Sequence, residues 1–181
     1  MQVSRDAHMP THVLAVTLPD QNPSIPPVML PIDVTRFERG FRFDLNIPPA
    51  PPGSTAPIPY TDTDSQVLMV TLPVLFITVP HVASLPLLLL FGMKFETHLN
   101  LLAWSLLPVN VVEEFPNAAA MALILSRTRD DQFERTYRHN QGIWKNTLAL
   151  GCNDPSIDEV VQTAWSVTAE ARRIRQRAAR Q

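Results

Sequence analysis

A chain of 181 residues with a formal net charge of −2 has room for one domain, or one domain with an appendage. Its single cysteine, Cys152, excludes an intrachain disulfide and with it the small cross-linked secreted class. The near-neutral total conceals an asymmetry: Arg172, Arg173, Arg175, Arg177 and Arg180 face only Glu170 within residues 170–181, so that end carries +4 and the rest −6.

Met1 to Pro10 lacks the basic start and long apolar run of a secretory signal, and the Arg-rich amphipathic pattern of an organelle presequence, so nucleus or cytoplasm is the expected compartment. Twelve of the eighteen prolines fall within the first 59 residues, where each removes a backbone donor and pushes its predecessor out of the helical region. The expectation is an extended proline-rich arm with short strands over 1–60, then a mainly helical interaction domain over 61–181. The fold class is mainly α with a small β component, an irregular helical bundle preceded by that arm. Within the arm, residues 11–18 read as a short strand stopped by Pro19. Residues 41–47 alternate apolar and polar at every step, the pattern of a half-buried strand or one added to a partner's sheet. Residues 48–59 read as a polyproline II linker, a form that also serves as a ligand for proline-binding modules.

Residues 65–93 contain no formally charged side chain, a run longer than the roughly 20 residues a spanning helix needs. Pro73, Pro80 and Pro86 interrupt it, and its first two pieces are β-branched and aromatic, so a strand is expected over 67–79 rather than a membrane span. Ser84 is the expected cap of a helix to Met93, followed by a second helix over 96–107 that Pro108 ends. Pro116 suits the first turn of a third helix over 117–126, with Phe115 packing back against it. A fourth helix is expected to start at Asp130 as N-cap. Gly142 inside it costs roughly 1 kcal/mol relative to alanine, which predicts either a break or a tight helix crossing. Gly151 ends that helix and Asp154-Pro155 opens a fifth, with Ser156 and Glu159 as an alternative capping box. Ile157, Val160, Val161, Ala164, Trp165, Thr168, Ala171 and Ile174 make its apolar stripe.

Catalytic constellations are not found. The five glycines form no phosphate loop, and the histidines at 8, 12, 81, 98 and 139 do not join Cys152 at zinc-site spacing, so no cofactor and no metal site is expected. Glu113 and Glu114 are adjacent and point to different sides of a helix, which reads as a solvated helix end. Cys152 follows the negative pole of a helix, which works against a reactive thiolate. Trp144 and Trp165 sit at core spacing, favouring burial over stacking on bases. The polar stretch 139–146 has two readings: Asn140 and Asn146 tie adjoining loops to the helix, or Trp144, Lys145 and Asn146 form a partner-binding face. The basic end, with Arg172, Arg173, Arg175 and Arg177, is either a solvated helical tail or a site for nucleic acid, anionic lipid, an acidic partner or nuclear import machinery.

Taken in order, Leu72-Pro73-Val74, Val79-Pro80, Leu106-Leu107-Pro108, the run Asn140-Gln141-Gly142-Ile143-Trp144-Lys145-Asn146, Ala149-Leu150-Gly151, Asp154 and Ala164-Trp165 make a pattern that resembles the clampless-type developmental regulators of basidiomycete fungi, over residues 67–171. That resemblance implies a non-enzymatic regulator of sexual development, acting on clamp-cell and dikaryon formation through protein contacts with transcription factors in the nucleus. It implies protein partners, with direct nucleic-acid binding through the basic tail left open and no membrane. The alternatives are a BTB-like (broad-complex-type) adaptor or a membrane-associated protein.

Overall fold

The computed structural model describes residues 9–49 and 57–180. Among these residues the architecture is mainly helical with two small sheets. Most of the anticipated proline linker, residues 50–56, and the first eight residues, His8 included, lie outside the described residues.

Strand β1 (His12–Thr17) is the centre of a three-stranded sheet. On one side it pairs antiparallel with β2 (Val28–Ile32), Leu14 opposite Leu30. On the other it pairs parallel with β5 (Val74–Thr78), Leu14 opposite Leu75 and Val16 opposite Ile77. The inward positions Leu14, Val16, Leu75 and Ile77 are buried, while Val74 and Phe76 face out, the period-two pattern of a strand with one side on the core. A two-stranded pair, β3 (Tyr60–Thr61) with β4 (Leu68–Met69), stands apart. Pro73 lies between β4 and β5, so the strand expected over 67–79 is two short strands.

Helix α1 (Val34–Gly40) starts at Asp33, whose carboxylate accepts from the Arg36 N–H at 2.9 Å. It buries Phe37 and Gly40, and the Phe37 ring lies 4.9 Å from that of Phe41. The helix corrects the expectation that the first third is an extended arm: Leu14, Val16, Ile32, Phe37 and Phe41 share one core with Leu88, Phe91, Ile143 and Val161. Packing therefore does not divide at residue 60. The prolines there punctuate loops instead of preventing burial. Residues 41–47 show the predicted alternation of burial but are not a strand: Phe41 makes a single bridge to Cys152, and the Arg42 and Phe43 amides donate to the Leu150 carbonyl at the end of α6 (Asp130–Leu150) at 3.1 and 3.0 Å.

After β5, a short 3-10 turn (Val82–Ser84) leads into α2 (Leu85–Gly92). Ser84 does not cap this helix, because its backbone is already helical and its hydroxyl is engaged elsewhere. Then follow α3 (Leu99–Leu106), α4 (Val109–Val112) and α5 (Ala118–Ser126), the last capped by Asn117, whose side chain accepts from the Ala120 N–H at 3.1 Å. Asp130 lies in the first turn of α6, with Arg129 at the cap position, and α6 runs unbroken through Gly142. Gly151 ends it in the left-handed region at φ 64°, a conformation glycine adopts without strain. Asp154 caps α7 (Pro155–Ala178) as expected, by accepting from the Ser156 N–H at 2.9 Å, so the alternative Ser156–Glu159 box is not the cap. The stripe on α7 buries Ile157, Val161, Ala164, Thr168 and Ala171 against its neighbours. No helix among the described residues is long and apolar enough to cross a membrane; the uncharged run is divided among β4, β5 and α2.

Candidate protein-contact surface

On α6, residues three and four apart share a face. That places Asn140, Ile143, Asn146 and Thr147 together on the buried side. Asn146 is 0% exposed. Its Oδ1 accepts the His81 N–H at 3.0 Å, while its Nδ2 donates to the His81 carbonyl at 2.6 Å and to Ser84 Oγ at 3.1 Å. A single amide thus binds both backbone groups of His81, as a neighbouring strand would. The His81 ring packs on the helix where Gly142 bares its backbone, so that a Cβ at 142 would overlap the ring, and His81 Nδ1 lies 2.9 Å from Ser84 Oγ. The close approach expected at the mid-helix glycine is present, but what comes close is a histidine ring from the segment before the 3-10 turn and not a second helix. Asn140, equally buried, donates to the Leu106 carbonyl at 3.0 Å and to Thr168 Oγ1 at 2.9 Å, joining the end of α3 to α7.

These bonds decide between the two readings of the 139–146 stretch for Asn146, which is a buried clamp and offers nothing to a partner. Trp144 is partly buried against the core and Lys145 projects into solvent. Trp165 is likewise half-buried, its ring 5.5 Å from Tyr137. Burial, and then the nearby Lys145 charge, hold the His81 imidazole below the ordinary histidine range, and His139 is depressed by burial and then by His81.

The arginines divide in the same way. Arg175 turns inward: it donates to the Ser126 and Thr128 carbonyls, both at 2.8 Å, pairs with Asp130, and sets its guanidinium 4.6 Å from the Phe133 ring centre. It fastens the end of α7 to the turn between α5 and α6, which corrects its place in a free basic tail. Arg172 lies 4.1 Å over the Tyr137 ring. Arg173 pairs with Glu170 at 3.0 Å on the surface, and Arg177 and Arg180 are exposed. The basic end is the last turns of α7, with Arg173, Arg177 and Arg180 as its outward charges.

The surface that sequence reasoning missed lies on the other side of α7. A groove of about 500 Å³ opens between α3 and α7, with Val112 of α4 and Met121 of α5 also in its lining. Its floor is apolar, with Leu99, Ala103 and Leu107 from one wall, Val160 and Ala164 from the other, and Met121 between. Phe115, expected to pack back on α5, stands at the rim 65% exposed, and Trp104, one helical step from the groove residue Asn100, is 51% exposed. A signal existed: seven of the nine residues 99–107 are apolar, more than the single buried face of Leu102 and Leu106 can absorb. The rim is acidic. Glu159 lines the groove, and Glu113 and Glu114 lie between its lining residues Val112 and Phe115.

Among the described residues no group of three or more His, Cys, Asp or Glu is placed to hold a metal ion. Cys152 is buried, and that burial pushes its thiol above the ordinary cysteine range, so the thiolate that would react is disfavoured. What the surface offers is shape, apolar area and charge. No family model matches the chain, and neither a curated protein nor a solved structure matches it.

Proposed function

We propose that this chain is a non-enzymatic regulatory protein that works by binding other proteins, acting in fungal sexual development on clamp-cell and dikaryon formation through transcription factors, as its resemblance to clampless-type regulators implies. The observation that supports contact as its mode of action is the groove: an apolar floor with a phenylalanine and a tryptophan standing in solvent at or beside its rim. Large aromatic side chains left exposed beside an apolar hollow are the features that anchor protein interfaces. The outward arginines Arg173, Arg177 and Arg180 suit recognition by nuclear import machinery.

The reading is tested by affinity purification of the tagged chain from basidiomycete extract, beside a Trp104→Ala/Phe115→Ala variant. Transcription factors are expected with the parent chain and not with the variant. Their absence from both would count against the proposal. Replacing Arg173, Arg177 and Arg180 with glutamine, leaving the structural Arg175, should abolish nuclear accumulation. The second reading, a BTB-like adaptor, is favoured by the mixed three-stranded sheet set against the helices; recovery of ubiquitin-ligase components in place of transcription factors would select it.

A further inference from the structure

We propose that the groove between α3 and α7 receives an amphipathic helix of a partner protein, one whose apolar ridge is flanked by lysine or arginine. The inference rests on the reading that this protein works by protein contact and gives that contact a chemistry.

Three properties of the groove point to this occupant. The first is backbone bonding. Both long walls are helices, whose backbone groups bond within themselves, and the groove residues come from α3, α5, α7 and the segment between them, with no strand edge among them. An extended peptide laid there would bury amides and carbonyls against apolar side chains without partners, each at a cost of roughly 1–3 kcal/mol. A helix brings its own hydrogen bonds and presents only side chains.

The second is shape. The lining is built from small and medium apolar residues, Ala103 and Ala164 with Leu99, Leu107 and Val160. Side chains as short as alanine in the lining leave room for larger ones from an incoming ridge at i, i+3 or i+4 and i+7. Asn100 and Thr163 at the walls supply hydrogen-bonding groups able to fix the register of an incoming helix.

The third is charge. The residues lining the groove include Glu159 and no lysine or arginine, and Glu113 and Glu114 extend the negative field along the rim beside Phe115. An incoming helix with acidic flanks meets like charge on approach, whereas a basic one is steered inward. Such steering acts through exposed groups and weakens as salt rises.

The test uses the full chain and three labelled synthetic peptides of roughly 15 residues, long enough for helix formation to be measurable. All carry leucine at i, i+4, i+7 and i+11; one is flanked by lysine, one by glutamate, and the third repeats the lysine peptide with two central prolines. Fluorescence anisotropy should show the lysine peptide binding about tenfold or more tighter than either of the others, with the difference shrinking as salt is raised. Combining Glu113→Lys, Glu114→Lys and Glu159→Lys, all surface changes, should reverse the preference between lysine and glutamate peptides while leaving the circular dichroism spectrum unchanged. Ala103→Arg should abolish binding of all three. Equal binding of the two helical peptides, retained binding of the proline peptide, or no saturable binding would each overturn the proposal. So would a concentration-dependent dimer that Ala103→Arg dissolves, since a second copy would then be the occupant. If the helical peptides fail while the tagged chain still recovers transcription factors from extract, the groove assignment falls and contact as the mode of action stands; loss of both removes the reading beneath it.

Discussion

The crossing of His81 over α6 and the groove between α3 and α7 are opposite uses of a helix surface. At the crossing, polar groups are buried and nearly every one has a partner: Asn146 binds both backbone groups of His81 and the Ser84 hydroxyl, and Gly142 gives the ring its seat. In the groove, apolar groups line an open trough and nothing of the described chain fills it. The first arrangement is specific and inward, the second permissive and outward. The comparison teaches that a cluster of distinctive residues types is as readily the signature of a demanding internal joint as of a binding face, and that a binding face can be made of leucine and alanine.

The contrast is broken most directly at Gly142. Gly142→Leu would drive a branched side chain into the His81 ring, and the cost should be about 3 kcal/mol or more of unfolding free energy, read from urea denaturation. A variant with parental stability would mean that the crossing is loose. Next, Asn146→Ala removes the partner of the part-buried His81 N–H and carbonyl and should cost about 2 kcal/mol in the same assay, with peptide binding in the groove unaffected. If binding fell in step with stability, the two regions would not be separate.

The arginines sharpen the comparison within one helix. Arg175→Gln removes donors to two carbonyls and the pairing with Asp130, and should cost about 1.5 kcal/mol. Arg177→Gln, on the exposed face, should change stability by less than about 0.5 kcal/mol. The order reversed would show that Arg175 does not fasten α7. The smallest effect concerns pH. His12, His81 and His139 are all held below the free-histidine value of about 6.5, chiefly by burial, so the folded state favours their neutral forms. Their contribution to stability is present above that value and is lost as pH falls through it, because the unfolded chain takes up protons first. The urea midpoint should therefore decline on mild acidification, and His139→Gln should flatten the decline; a midpoint that rises would contradict the sign.

What the sequence disclosed followed the range of its interactions. Gly151 and Asp154-Pro155 mark the end of one helix and the start of the next through backbone rules confined to a few residues, and they stand where expected. The alternation over 41–47 correctly gave which side chains turn inward, but its hydrogen-bonding neighbour is the end of α6 and not a strand, a fact held more than a hundred positions away. Helix α1 is hidden by the proline density averaged over the first third, although no proline lies between Pro31 and Pro48 and Asp33 stands ready as a cap. For the 139–146 stretch, residue types allowed both clamp and contact face, and only the location of His81 separates them. The groove was the least legible part, since its lining is drawn from several helices far apart in the chain, and no single element records that.

The parallel union of β1 with β5 has a consequence for the order in which this protein is made. As the chain leaves the ribosome, β1 and β2 emerge before their third strand, and a two-stranded pair by itself is marginal in water. The third strand arrives only after Thr78 has been added, and the helices that cover the inner side come later still. Nascent β1 must therefore wait, keeping Leu14 and Val16 from other partners until a stretch synthesised some sixty residues later completes the layer.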